Sequence, residues 1–283
     1  MDSIYQTKDK GTKLLVLLIV ALIIFMFGSV LTSSIVAIPL INVTGLDKDT
    51  LNEALTLFSM YYDTTIKEGE ITWGQYAQDY FSTNPLLFEN IKSFYCAVQF
   101  LTYMPLMVVL FYCLRHDLVK DFKDFIKNFK RNVGIIGGAF VGMFALAYIV
   151  MFIYDTLGES GNSNNENIIN LLLDSPGRWL MIISVVVFAP ILEEIIFRKL
   201  FIDTCELRFK LNPAIAIIIS TVLFAFIHVT DLESLKFIFQ YMALALPICV
   251  AYHYSNNNIY VVTVVHIINN FLSVATAMVI WMM

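Results

Sequence analysis

Apolar residues in this chain come in runs too long and continuous to be one face of a soluble helix. Seven runs reach or approach the roughly 20 residues that a membrane-crossing helix needs: 14–41, 91–114, 133–155, 178–200, 212–229, 235–254 and 258–282. The first follows Lys8, Lys10 and Lys13, but it is too long for a signal-peptide core and reads as an uncleaved first helix. Between the runs, the polar stretches alternate in charge. The amino-terminal stretch, the stretch with Arg115, Lys120, Lys123, Lys127, Lys130 and Arg131, and the stretch with Arg198, Lys199, Arg208 and Lys210 hold 13 of the 18 basic residues. With every run crossing once, all three fall on one side, which basic residues mark as cytoplasmic. Segment 44–90 holds eight acids against Lys48 and Lys67, and segment 156–177 has no Lys or Arg. The expectation is an amino terminus inside and a carboxyl terminus outside.

Two stretches suggest further helices. In 44–90, Leu55, Leu57, Phe58, Met60 and Tyr61 point to a short external or interfacial helix. In 117–131, Phe122, Phe125, Ile126 and Phe129 recur at helical spacing opposite lysines, the pattern of an amphipathic helix on the inner membrane face. The fold expected is all-α: a polytopic membrane bundle of about seven transmembrane helices plus that inner-face helix. It forms a single membrane domain over 1–283, with amino-terminal helices in 1–132 and a helical core in 133–283.

Composition narrows the class. Hydrophobic residues make up 58% of the 283 and charged residues 14%, where a soluble domain carries about 25% charged. A net charge of −5 argues against a nucleic-acid partner. Cys96, Cys113, Cys205 and Cys249 show no CxxC spacing and read as free thiols.

Ionisable groups inside apolar runs are costly and face a protein interior or a wet cavity. Here they concentrate late in the chain: Glu193, Glu194 and Arg198, then His228, then His266 with Asn270. Glu194 and Arg198 are four apart and can pair on one helix face. Glu193 is turned about 100° away at 3.6 residues per turn, with no basic residue at its own i+3 or i+4. A carboxylate so placed suits a general base. His266 and Asn270 share a face and can offer two donors to one point. Phe224 lies one turn before His228. In a hairpin of the fourth and fifth runs, Glu193 and His228 are equidistant from a turn beside Asn212-Pro213. His116 and His253 sit at predicted inner boundaries and receive no role.

The strings EExxxR (Glu193, Glu194, Arg198), FxxxH (Phe224, His228) and HxxxN (His266, Asn270), in that order, resemble the CAAX-protease and bacteriocin-processing (CPBP/Abi) family of intramembrane glutamic endopeptidases. The resemblance covers about 178–282. It implies a prokaryotic plasma-membrane endopeptidase that cuts a membrane-associated peptide or leader peptide with an activated water. Glu193 would be the base and His228 would hold the water. Glu194 and Arg198 would brace the site, and His266 with Asn270 would form the oxyanion hole. It implies no cofactor and no metal. Glu193, His228 and His266 also have the residue types of a His₂Glu zinc set, although HExxH is absent. Two other classes stay open: a non-catalytic regulator or bacteriocin-immunity protein keeping the fold, and a proton-relay transporter. The transporter reading is weakened by the lack of repeats and broken paired helices. The partners expected are a peptide or protein substrate and the lipid bilayer. Oligomeric state is not encoded in any feature of the sequence.

Overall fold

The computed structural model describes residues 2–44, 47–62, 71–159, 163–229, 232 and 234–282. Asp63, Lys67, Glu68 and Glu70 of the acidic segment lie outside them. The elements, in chain order, are α1 (Asp2–Thr44), α2 (Lys48–Ser59), α3 (Trp73–Thr83), α4 (Pro85–Lys127), α5 (Phe129–Leu157) and α6 (Asn164–Leu173). One rod follows in five pieces: α7 (Arg178–Ile183), a π-helical segment (Ser184–Phe188), α8 (Ala189–Glu194), a second π segment (Ile195–Ile202) and α9 (Asp203–Leu207). Last come α10 (Pro213–Ile227), a 3₁₀ turn (Ser234–Phe237), α11 (Ile238–Tyr254) and α12 (Ile259–Met282). The chain is a multi-pass helical membrane protein.

All seven apolar runs are helical, but six are long and apolar enough to cross a membrane. The seventh, α10, has 15 residues. At 1.5 Å per residue it covers about 22 Å of a hydrocarbon core of roughly 30 Å. Asn212 starts it, its Oδ1 accepting from Ala214 N at 2.8 Å, with Pro213 in the first turn where its missing N–H costs nothing. Residues 117–127 are helical as the pattern indicates, yet they continue α4 because nothing in that stretch breaks a helix. The break comes at Asn128, whose Nδ2 donates to Asp124 O at 3.0 Å.

The chain forms two compact units. The first comprises 1–26, 103–165 and 185–283. The rod from Arg178 is the most enclosed span: half of its most apolar window is buried, against 11–39% in the other five. Leu192, Ile195, Ile196 and Leu200 on that rod pack with Phe224, Ala245 and Val265 in this unit's core. α1 lends a stripe, Leu14, Leu18 and Ala21, while Ile19, Ile23 and Phe27 stay exposed, as a lipid-facing surface requires. Gly11 lets α1 lie against the rod's end, where a Cβ would meet Arg208 N at 3.0 Å. α5 ends at Gly158, whose φ of 73° suits a residue without a side chain.

A buried ionic knot sets the level of α12. Lys199 Nζ lies 2.9 Å from Asp121 and 3.5 Å from Asp203. Asp203 also accepts from Tyr252 OH and Asn257 Nδ2, both at 3.0 Å. Asn258 Nδ2 donates to Asp121 O at 2.6 Å. The α11–α12 turn, with Asn256 and Asn257 at positive φ, is thereby tied to α4 and the rod. Lys199→Met leaves two buried carboxylates without their cation. The expected cost is about 3 kcal/mol, read as a fall in Tm in detergent that Lys199→Arg largely avoids.

The second unit comprises 27–102 and 166–184. Its helices α2 and α3 replace the single short helix expected before residue 90. Asp47 caps α2, and Thr72 with Gln75 forms a capping box on α3. Phe58, Phe81, Phe88 and Tyr95 form an aromatic core, with Phe58 stacked on Tyr95, Phe81 stacked on Phe88, and Phe58 edge-on to Phe81. Lys92 is buried there, donating to Asp174 O at 2.7 Å and pairing with Glu89 at 2.8 Å. The four cysteines are free.

Candidate active site

The glutamate pair sits on a short α stretch between two π segments, a helical irregularity that recurs at functional sites. The first π segment runs into Pro190, which has no N–H. In the i→i+5 register Val185 O looks to the nitrogen of residue 190, which has no hydrogen to donate. Asn270 Nδ2 on α12 donates to it at 2.9 Å. In the second π segment, Ser220 Oγ on α10 donates to Phe197 O at 2.8 Å. The neighbouring helices thus hold the rod by its own carbonyls on either side of Glu193.

Glu194 and Arg198 are fully buried and in charge contact, Nε to Oε2 at 3.1 Å. The guanidinium also lies 4.6 Å from the Phe224 ring centroid, a cation–π placement. The second oxygen of Glu194 lies 2.7 Å from His266 Nδ1. Glu194 therefore links the buried guanidinium of the rod to the imidazole of α12.

Glu193 points elsewhere, as the one-residue rotation requires. Its Oε2 lies 3.7 Å from His266 Nε2 and 4.0 Å from His228 Nε2. His228 caps the end of α10, with Nδ1 at 2.8 Å from Phe224 O. A carbonyl only accepts, so His228 Nδ1 carries the proton and its Nε2 presents a lone pair toward Glu193. His266 Nδ1 likewise donates to the Glu194 carboxylate, which leaves its Nε2 on the Glu193 side. Gaps of 3.7 and 4.0 Å exceed a direct hydrogen bond but match groups that share one small bridging molecule at about 2.8 Å each. Phe224 walls the spot, 4.6 Å from the His228 ring and 5.8 Å from that of His266.

The structure brings Glu193, Glu194, Arg198, Phe224, His228 and His266 together. It places Asn270 one turn above His266, on the Val185 carbonyl and not on Glu193. His116 and His253 are exposed. Among the described residues, no three His, Cys, Asp or Glu side chains are disposed as a metal site.

Sequence reasoning missed Tyr241. Its ring lies 4.8 Å from that of His228 at 30°, and its hydroxyl is 2.5 Å from Ser163 Oγ. Nothing in an apolar run marks one tyrosine among 14. Pro190 was missed as well, although a proline three residues before a buried acid is a readable signal.

Residues 175–272 match the family described as Type II CAAX prenyl endopeptidase Rce1-like. All the residues assembled above except Ser163 fall within that span. No curated protein and no solved structure matches the chain at a significant level.

Proposed function

From the match of residues 175–272 to the CAAX-protease family, we propose that the chain is an intramembrane endopeptidase in which Glu193 activates the attacking water. The observation that carries this reading is the convergence of Glu193 Oε2, His228 Nε2 and His266 Nε2 within 4.0 Å. A water there gives one hydrogen to Glu193 and the other to the lone pair of His228. Its own lone pair then faces a scissile carbonyl carbon. Glu193 takes the proton as the C–O bond forms, and returns it to the departing amine as the C–N bond breaks. The products are a carboxylic acid and an amine, with Glu193 regenerated.

Charge developing on the carbonyl oxygen needs donors. Asn270 has a second amide hydrogen beyond the one on Val185 O. Glu194 holds His266 Nδ1 at 2.7 Å and so keeps the Nε2 edge of the ring turned toward Glu193, 3.7 Å away. Glu194 and Arg198 thus act through His266. In the membrane, the proposed orientation keeps the Lys199 knot at the cytoplasmic end, with the amino terminus inside.

Purified protein in detergent, given a quenched farnesylated CAAX peptide and its unlipidated counterpart, tests the chemistry. His228→Ala is expected to lower kcat about 10²-fold with little change in KM, because it orients the water and binds no substrate. Excess 1,10-phenanthroline is expected to leave the wild-type rate unchanged. Inactivation by the chelator with recovery on adding zinc would overturn the water-only reading and make Glu193, His228 and His266 ligands. Cleavage of the lipidated peptide alone assigns prenylated substrates. Cleavage of both assigns membrane peptides generally.

A further inference from the structure

The Val185 carbonyl accepts from Asn270 Nδ2, and in the i→i+5 register its donor within the rod would be residue 190, a proline without an N–H. An N–H at position 190 would bond Val185 O within the rod and compete with Asn270 for it. Instead the Asn270 amide is fixed at two points: Nδ2 on Val185 O at 2.9 Å, and Oδ1 accepting from Asn269 Nδ2 at 3.4 Å. Its carbonyl anchor lies eight residues before Glu193 on the same rod. Pro190 is buried and forms the first turn of α8, which ends in the glutamate pair. The amide and the carboxylate are therefore set by one stretch of helix, and the defect in that stretch reaches across to α12.

We propose that Pro190 is a positioning residue: by withholding its N–H it reserves the Val185 carbonyl for Asn270, and so fixes the plane and height of the Asn270 amide relative to Glu193. One N–H of the amide is spent on the anchor. The other keeps a defined direction, which a donor to a developing oxyanion needs, since a misplaced donor stabilises charge poorly. The proline costs helix stability locally, because it removes a hydrogen bond that any other residue would supply. The inference rests on the protease reading for its purpose, but not for its geometry.

The geometry has its own test in a thermal cycle that needs no substrate. Asn270→Ala leaves the Val185 carbonyl without a donor and is expected to lower Tm. Pro190→Ala supplies an N–H in the rod and is expected to keep or raise Tm. In the double variant the new N–H at position 190 closes the carbonyl, so most of the loss caused by Asn270→Ala is recovered. This non-additivity is the signature of a shared partner. Additive effects, or a Pro190→Ala protein that does not fold, would overturn the proposal. A second measurement reads the amide itself. In protein labelled with ¹⁵N-asparagine, the Asn270 side-chain protons, assigned by their loss in Asn270→Ala, are expected to be protected from exchange in the wild type. They are expected to lose that protection in Pro190→Ala, and unchanged protection would contradict the assignment.

Activity then separates positioning from scaffolding. Pro190→Ala is expected to lower kcat about tenfold with KM unchanged, in a protein at least as stable as the wild type. A general structural role would move Tm and kcat in the same direction. If the thermal cycle and the amide signal behave as stated while Glu193→Gln remains fully active, the protease reading fails and the Pro190–Asn270 coupling stands. If Glu193→Gln is inactive and the cycle is additive, the coupling fails and the protease reading stands.

Discussion

Glu193→Gln is expected to lower kcat for peptide-bond cleavage by about 10³-fold, the scale on which general-base catalysis operates, while Tm stays close to that of the wild type. The amide has the same shape as the carboxylate and cannot take a proton from water. Folding should tolerate the change because Glu193 is not the acid held by Arg198: that contact, at 3.1 Å, belongs to Glu194. Glu193 meets the two imidazole nitrogens at 3.7 and 4.0 Å. Cleavage rate and thermal unfolding of the same preparation check both halves. A Gln variant that cleaves at the wild-type rate removes Glu193 from the chemistry. One that does not fold makes it a structural acid.

The second large effect falls on stability. Arg198→Met should destabilise the protein by about 3–5 kcal/mol, as removing one partner of a buried ion pair does. Arg198 is fully buried, and its guanidinium both meets Glu194 and covers the Phe224 ring. Without it the Glu194 carboxylate stays in the core and keeps His266 as its remaining partner. Adding Glu194→Gln to Arg198→Met should return much of the lost stability, since the orphaned charge is gone. Activity should not return with it, because Glu194 also holds His266 Nδ1 at 2.7 Å. Denaturant or thermal unfolding in detergent, read beside kcat, separates the two roles.

Much of this arrangement is legible along the chain. The apolar runs mark the helices because lipid leaves the backbone no other way to satisfy its hydrogen bonds. The i,i+4 spacing of Glu194 and Arg198 is enough to pair them and to turn Glu193 elsewhere. Equal distances from the Asn212-Pro213 turn bring His228 to the depth of Glu193. What escapes depends on backbone register and on long-range partners. Regular 3.6-residue geometry contains no π segments, so neither the open Val185 carbonyl nor the grip of Ser220 on Phe197 O can be drawn from spacing. Spacing puts Asn270 on the face of His266, but its partner, the Val185 carbonyl, lies 85 residues away on the rod. Tyr241 and Ser163 are 78 residues apart and meet only after folding. For 117–127 the periodicity alone suggests a separate surface helix, while the absence of any breaker carries α4 straight through it.

Whether Glu193 starts peptide-bond cleavage can be read in the cell, with its own substrates present. Membranes from cells expressing the wild-type chain or Glu193→Gln at equal levels are labelled at free amino termini, and the labelled peptides are quantified. New amino termini from membrane-associated peptides are expected with the wild type and are expected to be missing with the Gln variant. The same new termini in both membranes would contradict this, because cleavage would then proceed without the carboxylate that is held to start it.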